Sequence, residues 1–305
     1  MQGYHSSVLL EEAVDALNIR DVWYLDCTLG DGGHSIEIIS RGGKIIGIDV
    51  DPQALERVQR RFGNLGIGSD KFKLVQGNFR NVENLIQSVF RRNKQMDTLN
   101  FEIAGAIFDL GVSSLQLENP ERGFSFSKEG PLDMRMDPEL EVRALDLVKI
   151  LSRKELNELF YSLGEEKYSG RLADALVSTR QIKPITTTQD LAGVIVRTVG
   201  KNRAAKEQIH PATRVFQALR IAVNDELDVL TEGINQAVNL IQKNGRIVVI
   251  SFHSLEDRIV KNTFKEWQIR GLGKVLTKKP IMSTTEEVAL NPRSRSAKMR
   301  VFEKL

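Results

Sequence analysis

The sequence predicts an α/β domain, built on a parallel sheet, into which an all-helical domain is inserted. Three observations carry this. Short β-branched runs alternate with helical stretches through the first hundred or so residues. The alternation then stops, and only helical patterns follow. A β-rich run returns at Arg246–Ser251. Strands joined through helices pair in parallel, with right-handed crossovers.

The elements follow in order. Trp23–Cys27 reads as a first strand, followed by a turn over Thr28–Gly33 and a helix from about His34. Ile45–Asp49 is a second strand, closed by Asp51-Pro52. Pro52 suits a first helical turn, and Ala54, Leu55, Val58 and Phe62 recur at helical spacing. Phe72–Gln76 and Gly105–Leu110 are strands three and four, with a helix over Val82–Arg92 between them. Gln116–Met136 reads as loop, from its Asn-Pro, Arg-Gly and Gly-Pro pairs. Helices are predicted at Ala144–Ile150, Arg153–Leu163, Lys167–Thr179 and Thr188–Val199. Ser152 and Glu155 form a capping box for the second of these. Thr213–Ile241 reads as one long amphipathic helix leading back to the sheet. Ile247–Ser251 is strand five, and a last β pair is expected in Lys274–Thr277 and Lys298–Glu303. The sheet domain is thus expected from residues 1–116 and 211–305, and the helical domain from 117–210.

Length and composition agree. At roughly 100–200 residues per domain, 305 residues give about two. The chain is 41% hydrophobic and 27% charged, as in a globular protein with a sizeable core. Apolar runs such as Ile247–Ile250 fall far short of the ~20 residues that span a bilayer. Met1-Gln2-Gly3-Tyr4-His5 shows neither a signal-peptide nor a transit-peptide pattern. A single cysteine, Cys27, excludes an internal disulfide framework and a Cys-cluster metal site. The four histidines are scattered, so no metal is expected. A cytoplasmic protein is predicted. Between Arg258 and Leu305 stand 12 Lys/Arg against 4 Asp/Glu, a local +8 in a chain of net +3. A basic segment on a mildly acidic body suits a polyanion, and equally a solvated tail.

The strand ends carry the chemistry. Leu25-Asp26-Cys27-Thr28-Leu29-Gly30-Asp31-Gly32-Gly33-His34-Ser35 places a glycine-rich turn between a strand and a helix, where such sheets bind nucleotides. Gly30-x-Gly32-x-x-Ser35 lacks the third glycine of the dinucleotide fingerprint, and a plain tight turn is the rival reading. Asp49 closes strand two, where a carboxylate can accept both hydroxyls of an adenosine ribose. Together the two features favour an adenosine-containing cofactor. Phe79 follows strand three and could flank an adenine or pack in the core. Asp109 ends strand four opposite the glycine turn, where a reacting group would sit. Strand five ends Ser251-Phe252-His253-Ser254-Leu255-Glu256-Asp257-Arg258, which makes His253 and Asp257 further candidates. A histidine that merely caps a helix is the rival for His253.

The chain also resembles the bacterial small-subunit rRNA cytosine-N4 methyltransferases, the MraW/RsmH family. The likeness is nearly end to end. It runs through His5–Glu12, Thr28–Ser35, Asp109–Gln116, Arg122–Phe126, Pro131–Asp137 and Gly164–Glu166. It continues through His210–Arg214, Phe216–Ile221, Ser251–Arg258 and Asn291–Ser296. The resemblance implies a Rossmann-like class I S-adenosylmethionine-dependent methyltransferase domain with a helical insert that helps recognise RNA. It implies methylation of one cytidine in the decoding region of 16S rRNA, within the small ribosomal subunit or its assembly intermediate. It implies cofactor contacts from Gly32, Gly33, His34, Asp49, Phe79, Asp109 and Gln116. A homodimer is compatible with it, and no membrane is involved.

Such a reaction needs an acceptor for the amino hydrogens, since cytosine's exocyclic amine is a poor nucleophile. Asp109 is the candidate. Many amino-methyltransferases place prolines and an aromatic ring after this acid, where this chain has Leu110-Gly111-Val112. A stacking ring must then come from Phe124, Phe126 or Phe252. Arg122, Arg135, Arg214, Arg258, Arg293 and Arg295 are candidate RNA contacts. An internal ion-pair network is the alternative for the Arg135–Asp137 block. An NAD-dependent dehydrogenase would share the turn and Asp49 but lacks a hydride-transfer dyad here. A silent RNA-binding protein would not need the strand-end carboxylates. A DNA cytosine-N4 methyltransferase would use the same chemistry.

Overall fold

The computed structural model describes residues 6–91, 102–200 and 209–305. His5 and Arg92, the end of one predicted helix, lie outside them. The chain divides into two compact units, one from residues up to 111 and from 227 onward, the other from 112–226.

The first unit is built on β1 (Trp23–Asp26), β2 (Lys44–Asp49), β3 (Phe72–Gln76), β4 (Ile103–Asp109), β5 (Ile241–Ser251), β6 (Gly273–Val275), β7 (Ile281–Met282) and β8 (Lys298–Lys304). Strand order is β3-β2-β1-β4-β5-β8-β6, with β7 also on β8. β1 to β5 are parallel, and β8 runs antiparallel against β5, with Ile250 opposite Met299. The expected closing pair is present as β6 with β8.

Helices α1 (Leu10–Leu17), α2 (Gly33–Ser40), α3 (Pro52–Asn64) and α4 (Val82–Arg91) belong to the first half of this unit. α3 begins as predicted, with Pro52 in its first turn and the Asp51 side chain accepting the Gln53 N–H. The core lies on both faces of the sheet because side chains alternate along each strand. Ile247 and Val249 of β5 pack with Val82, Ile86, Leu230 and Phe264 on one face. Val248 and Ile250 pack with Leu9, Val14 and Ile38 on the other. Each such fully buried side chain contributes about 1.5–3 kcal/mol.

The second unit holds α5 (Ser114–Glu118), α6 (Ala144–Ile150), α7 (Arg153–Ser162), α8 (Ser169–Ile182), α9 (Thr188–Val199) and α10 (Ala212–Asn224). Its own core includes Leu156, Phe160, Leu172, Leu191, Val215 and Leu219. The Ser152–Glu155 capping box is formed. The predicted helix Thr213–Ile241 is two helices, α10 and α11 (Glu226–Leu240), parted at Asp225, which is left-handed at φ 52°. The side chain of Asn224 causes the stop. Its amide donates to the Met134 and Arg220 carbonyls, and its oxygen accepts the Met136 N–H. Apolar spacing persists across the break because α11 also buries one face, through Val229, Leu230, Ile234 and Val238. The helical unit therefore extends beyond the expected 117–210, taking in α10. α12 (Ser254–Ile269) and α13 (Thr285–Leu290) complete the first unit.

Candidate active site

The strand order reverses direction at β1, whose neighbours are β2 and β4. At that point the carboxyl ends of parallel strands open a crevice for a ligand. The segment after β1 supplies a turn in which Gly30 (φ 51°) and Gly32 (φ 73°) are left-handed. Glycine adopts that region without strain. Gly33 opens α2, and a Cβ there would overlap the Oγ of Ser7. The segment before α1 therefore lies directly against the turn.

Asp26 ends β1 and is buried. Ser35 Oγ donates to it at 2.6 Å and the Thr28 N–H at 3.2 Å. Burial still pushes its carboxyl up to about 6. Asp49 ends β2, one oxygen accepting the Gly30 N–H and the other the Asp51 N–H, both at 2.9 Å. Burial raises it to about 7, helped by the charges of Asp51 and Asp26. These backbone bonds hold the carboxylate in place and leave lone pairs for further donors.

Asp109 ends β4, and its N–H donates to Thr28 Oγ1 at 2.6 Å, tying β4 to the turn. One carboxyl oxygen lies 3.6 Å from His34 Nδ1, and the other is shielded and has no hydrogen-bond partner among the described residues. Burial, with Asp26 and Glu256 nearby, holds this carboxyl well above the usual range. His34, in the first turn of α2, is buried, and its Nε2–H donates to the Val8 carbonyl at 3.1 Å. Burial pushes its pKa down to about 4. Asp26, Asp109 and His34 are thus gathered beside the glycine turn, Asp26 and His34 buried and Asp109 half-buried. Perturbed carboxyls gathered at one cleft are a mark of a functional site.

The remaining predicted residues have definite places. Phe79 follows β3, edge-on to Phe108 at 5.4 Å, with α11 passing so close at Gly233 that a Cβ would strike the ring. Gln116 is buried in the helical unit, where its side chain and Ser113 cap α5 reciprocally. His253 caps α12, with Nδ1 accepting the Glu256 N–H at 3.4 Å and Nε2 lying 3.2 Å from Glu256 Oε1. Both oxygens of Asp257 take hydrogen bonds from Arg300, at 2.6 and 3.1 Å. Of the rings, Phe124 is buried in the helical core, and Phe126 is stacked on His210 at 4.5 Å. Phe252 is half-buried after β5.

Among the arginines, Arg122 donates to the Arg135 and Met136 carbonyls. Arg135 is bidentate on Asp133 and reaches the Pro138 and Leu140 carbonyls. That block is an internal network of the helical unit. Arg214 is half-buried, while Arg258, Arg293 and Arg295 are exposed. Sequence reasoning misses three residues of the site: Asp26, Thr28 and Glu256. The first two sit inside the glycine-turn motif, which could have marked them. Glu256 accepts the Phe252 and His253 N–H groups as the third residue of a capping box, a local pattern that also lies in the sequence.

A doubly wound parallel sheet extended by antiparallel strands, with carboxylates at neighbouring strand ends around a glycine turn, defines a Rossmann-like nucleotide-binding domain. The family model of the MraW methylases matches residues 2–305, and the chain belongs to that family. It is 44% identical over 322 residues to the ribosomal RNA small subunit methyltransferase H of Carboxydothermus hydrogenoformans, covering 100% of this chain and 99% of that one. The protein of the same name from Halothermothrix orenii is 43% identical, over 99% and 98% of the two chains. A Streptococcus mutans protein solved in complex with SAH is 13% identical, with a TM-score of 0.46 over 97% of each chain. The methyl donor is S-adenosylmethionine. No helix among the described residues is long and apolar enough to cross a membrane.

Proposed function

We propose that this chain methylates the exocyclic N4 amine of a cytidine in the decoding region of 16S rRNA, by direct displacement. The observation that carries this is the Asp109 carboxyl beside the glycine turn, a quarter of it (25%) accessible and one oxygen without a partner among the described residues. The residues suit the donor. The Gly32–Gly33 backbone carries no side-chain bulk, Asp49 has lone pairs for two ribose hydroxyls, and the Asp109 oxygen can take a polar group. Phe79 offers a ring edge near that rim. When bound, S-adenosylmethionine supplies an electrophilic methyl group on a sulfonium.

Asp109 then accepts an N–H of the attacking amine, favouring a pyramidal nitrogen and stabilising the positive charge that develops on it. The Thr28 hydroxyl, which accepts the Asp109 N–H, and the β4–β5 register fix in advance the backbone that carries this carboxyl. The segment Ser6–Leu9 packs on the turn and limits water there. Holding amine and methyl in line supplies much of the remaining acceleration. A base within helical rRNA must be splayed out first. The exposed Arg293 and Arg295 meet phosphates, and the substrate is the small subunit or a late assembly form of it in the cytoplasm.

Nucleoside mass spectrometry of 16S rRNA from cells with and without the protein tests the reading. N4-methylated cytidine should disappear at one position in its absence. An unchanged level would overturn it.

A further inference from the structure

Two hydrogen-bond acceptors face one another beside the turn. The Val8 carbonyl can only accept, so His34 Nε2 carries the ring hydrogen and Nδ1 is left as a bare lone pair. That lone pair faces Asp109 Oδ2 at 3.6 Å. An ionised Asp109 would set a negative oxygen against it, with no proton between. The charged groups around Asp109 worsen the conflict. His34 faces it from α2, Asp26 from β1 and Glu256 from α12, and none of the three is a fixed cation. The opposite oxygen has no partner among the described residues that would hold a negative charge. About a quarter of the Asp109 side chain, 25%, is still reachable by solvent, which gives a proton a way out.

We propose that Asp109 and His34 hold one proton between them in the free protein, and that a positively charged methyl donor expels it. The inference rests on the reading of Asp109 as the group that faces donor and amine. The proton sits on Asp109 and points at His34 Nδ1, as the burial-driven directions for both groups require. A positive charge beside the carboxyl favours its ionised form, and the proton leaves to solvent. The carboxylate then exists only while that charge is present. The transfer balances in the same terms. The N–C bond forms, the C–S bond breaks with its electron pair remaining on sulfur, and the amine nitrogen is left with a surplus proton. That proton passes to Asp109, restoring the neutral pair as the sulfur's charge vanishes. His34 acts through Asp109 and is a positioning residue.

Calorimetry of the full-length protein near pH 7, in buffers of different ionisation heat, counts the protons. S-adenosylmethionine should release roughly one proton per site, and S-adenosylhomocysteine, whose sulfur is neutral, clearly fewer. Asp109→Asn should abolish the difference between the two. Nitrogen NMR of the free protein should show His34 in the Nε2–H form, without titration between pH 5 and 8. Equal release by both ligands, or a His34 ring that titrates near 6.5, would overturn the proposal. The wild-type comparison of the two ligands stands even where the variant fails to fold. Methyl transfer to rRNA without differential release would defeat this pair alone. Differential release without any methyl transfer would defeat the proposed function and leave the pair standing.

Discussion

Asp49 and Asp109 are half-buried carboxyls with no cation among their hydrogen-bond partners, and they differ in what meets them. Asp49 has two backbone N–H groups and is raised to about 7 from 3.8. The folded protein therefore holds the extra proton between those values, and its stability falls as pH rises through them. Asp49→Asn should flatten the stability profile between pH 4 and 7 by up to about 1.4 kcal/mol per pH unit, the contribution of one proton. Chemical denaturation across that range reads it. Asp49→Ala should weaken S-adenosylmethionine binding by ~1.5–3 kcal/mol, the range for charge-assisted hydrogen bonds, and calorimetry showing unchanged affinity would remove Asp49 from the site. For Asp109 the expected loss is in rate. Asp109→Asn keeps the size and one acceptor, so single-turnover methylation should slow by on the order of 10²–10³ with RNA affinity nearly intact. Full recovery at saturating donor would leave Asp109 as a cofactor ligand only. Both residues were legible in the sequence because strand-end acids are local features. The His34–Asp109 approach was not, because it depends on how α2 and β4 are brought together across 75 positions of chain.

At the level of elements, the glycine turn and the five parallel strands were legible from periodicity and from Gly, Pro and Asp at their ends. The break between α10 and α11 was hidden, because Asn224 ends the helix through bonds to residues 134–136 while the apolar pattern runs on. What the turn requires of its neighbours is equally non-local. A Cβ on Gly33 would collide with Ser7 Oγ, and the Ser7 Cβ would stand 3.3 Å away. The segment that carries Ser7 is pinned on its far side, Leu9 N–H to Glu287 at 2.7 Å and Asn291 to the Ser6 carbonyl at 3.1 Å. It has little freedom to retreat. Gly33→Ala should therefore displace Val8 from His34 and weaken donor binding. Ser7→Ala alone should do little, and the double variant should regain much of the loss, because the colliding atom is gone. Coupling between neighbours in contact typically lies at about 0.5–3 kcal/mol. Additive losses in the cycle would show that Gly33 is needed for the ligand's own approach, and not for this packing.

For the whole molecule, net charge is a poor guide to the surface that a polyanion meets. The segment from Arg258 to Leu305 carries +8 by sequence, yet several of its cations already hold partners within the fold. Arg300 is buried on Asp257, Lys304 donates to the Val238 and Ile241 carbonyls, and Lys274 pairs with Glu303 at 3.1 Å. Arg293 and Arg295 are exposed on the short turn before β8, and Lys298 lies 4.0 Å from Asp257 with a third of its side chain, 33%, accessible. These three are the cations to test. Removing one phosphate-binding cation should flatten the dependence of log affinity on log salt by about 0.7–0.9, so a triple alanine variant should lose roughly 2–2.7 units of slope if all three meet phosphate. Lys298, with a carboxylate already near, should contribute least, which sets the expected value towards the lower bound. Weakening should be greatest at low salt, and S-adenosylmethionine affinity measured without RNA should not change. A slope equal to that of the wild type, in filter binding of small subunits across a salt series, would make these side chains a solvated surface and leave Arg214 and Arg258 as the cations that meet the RNA.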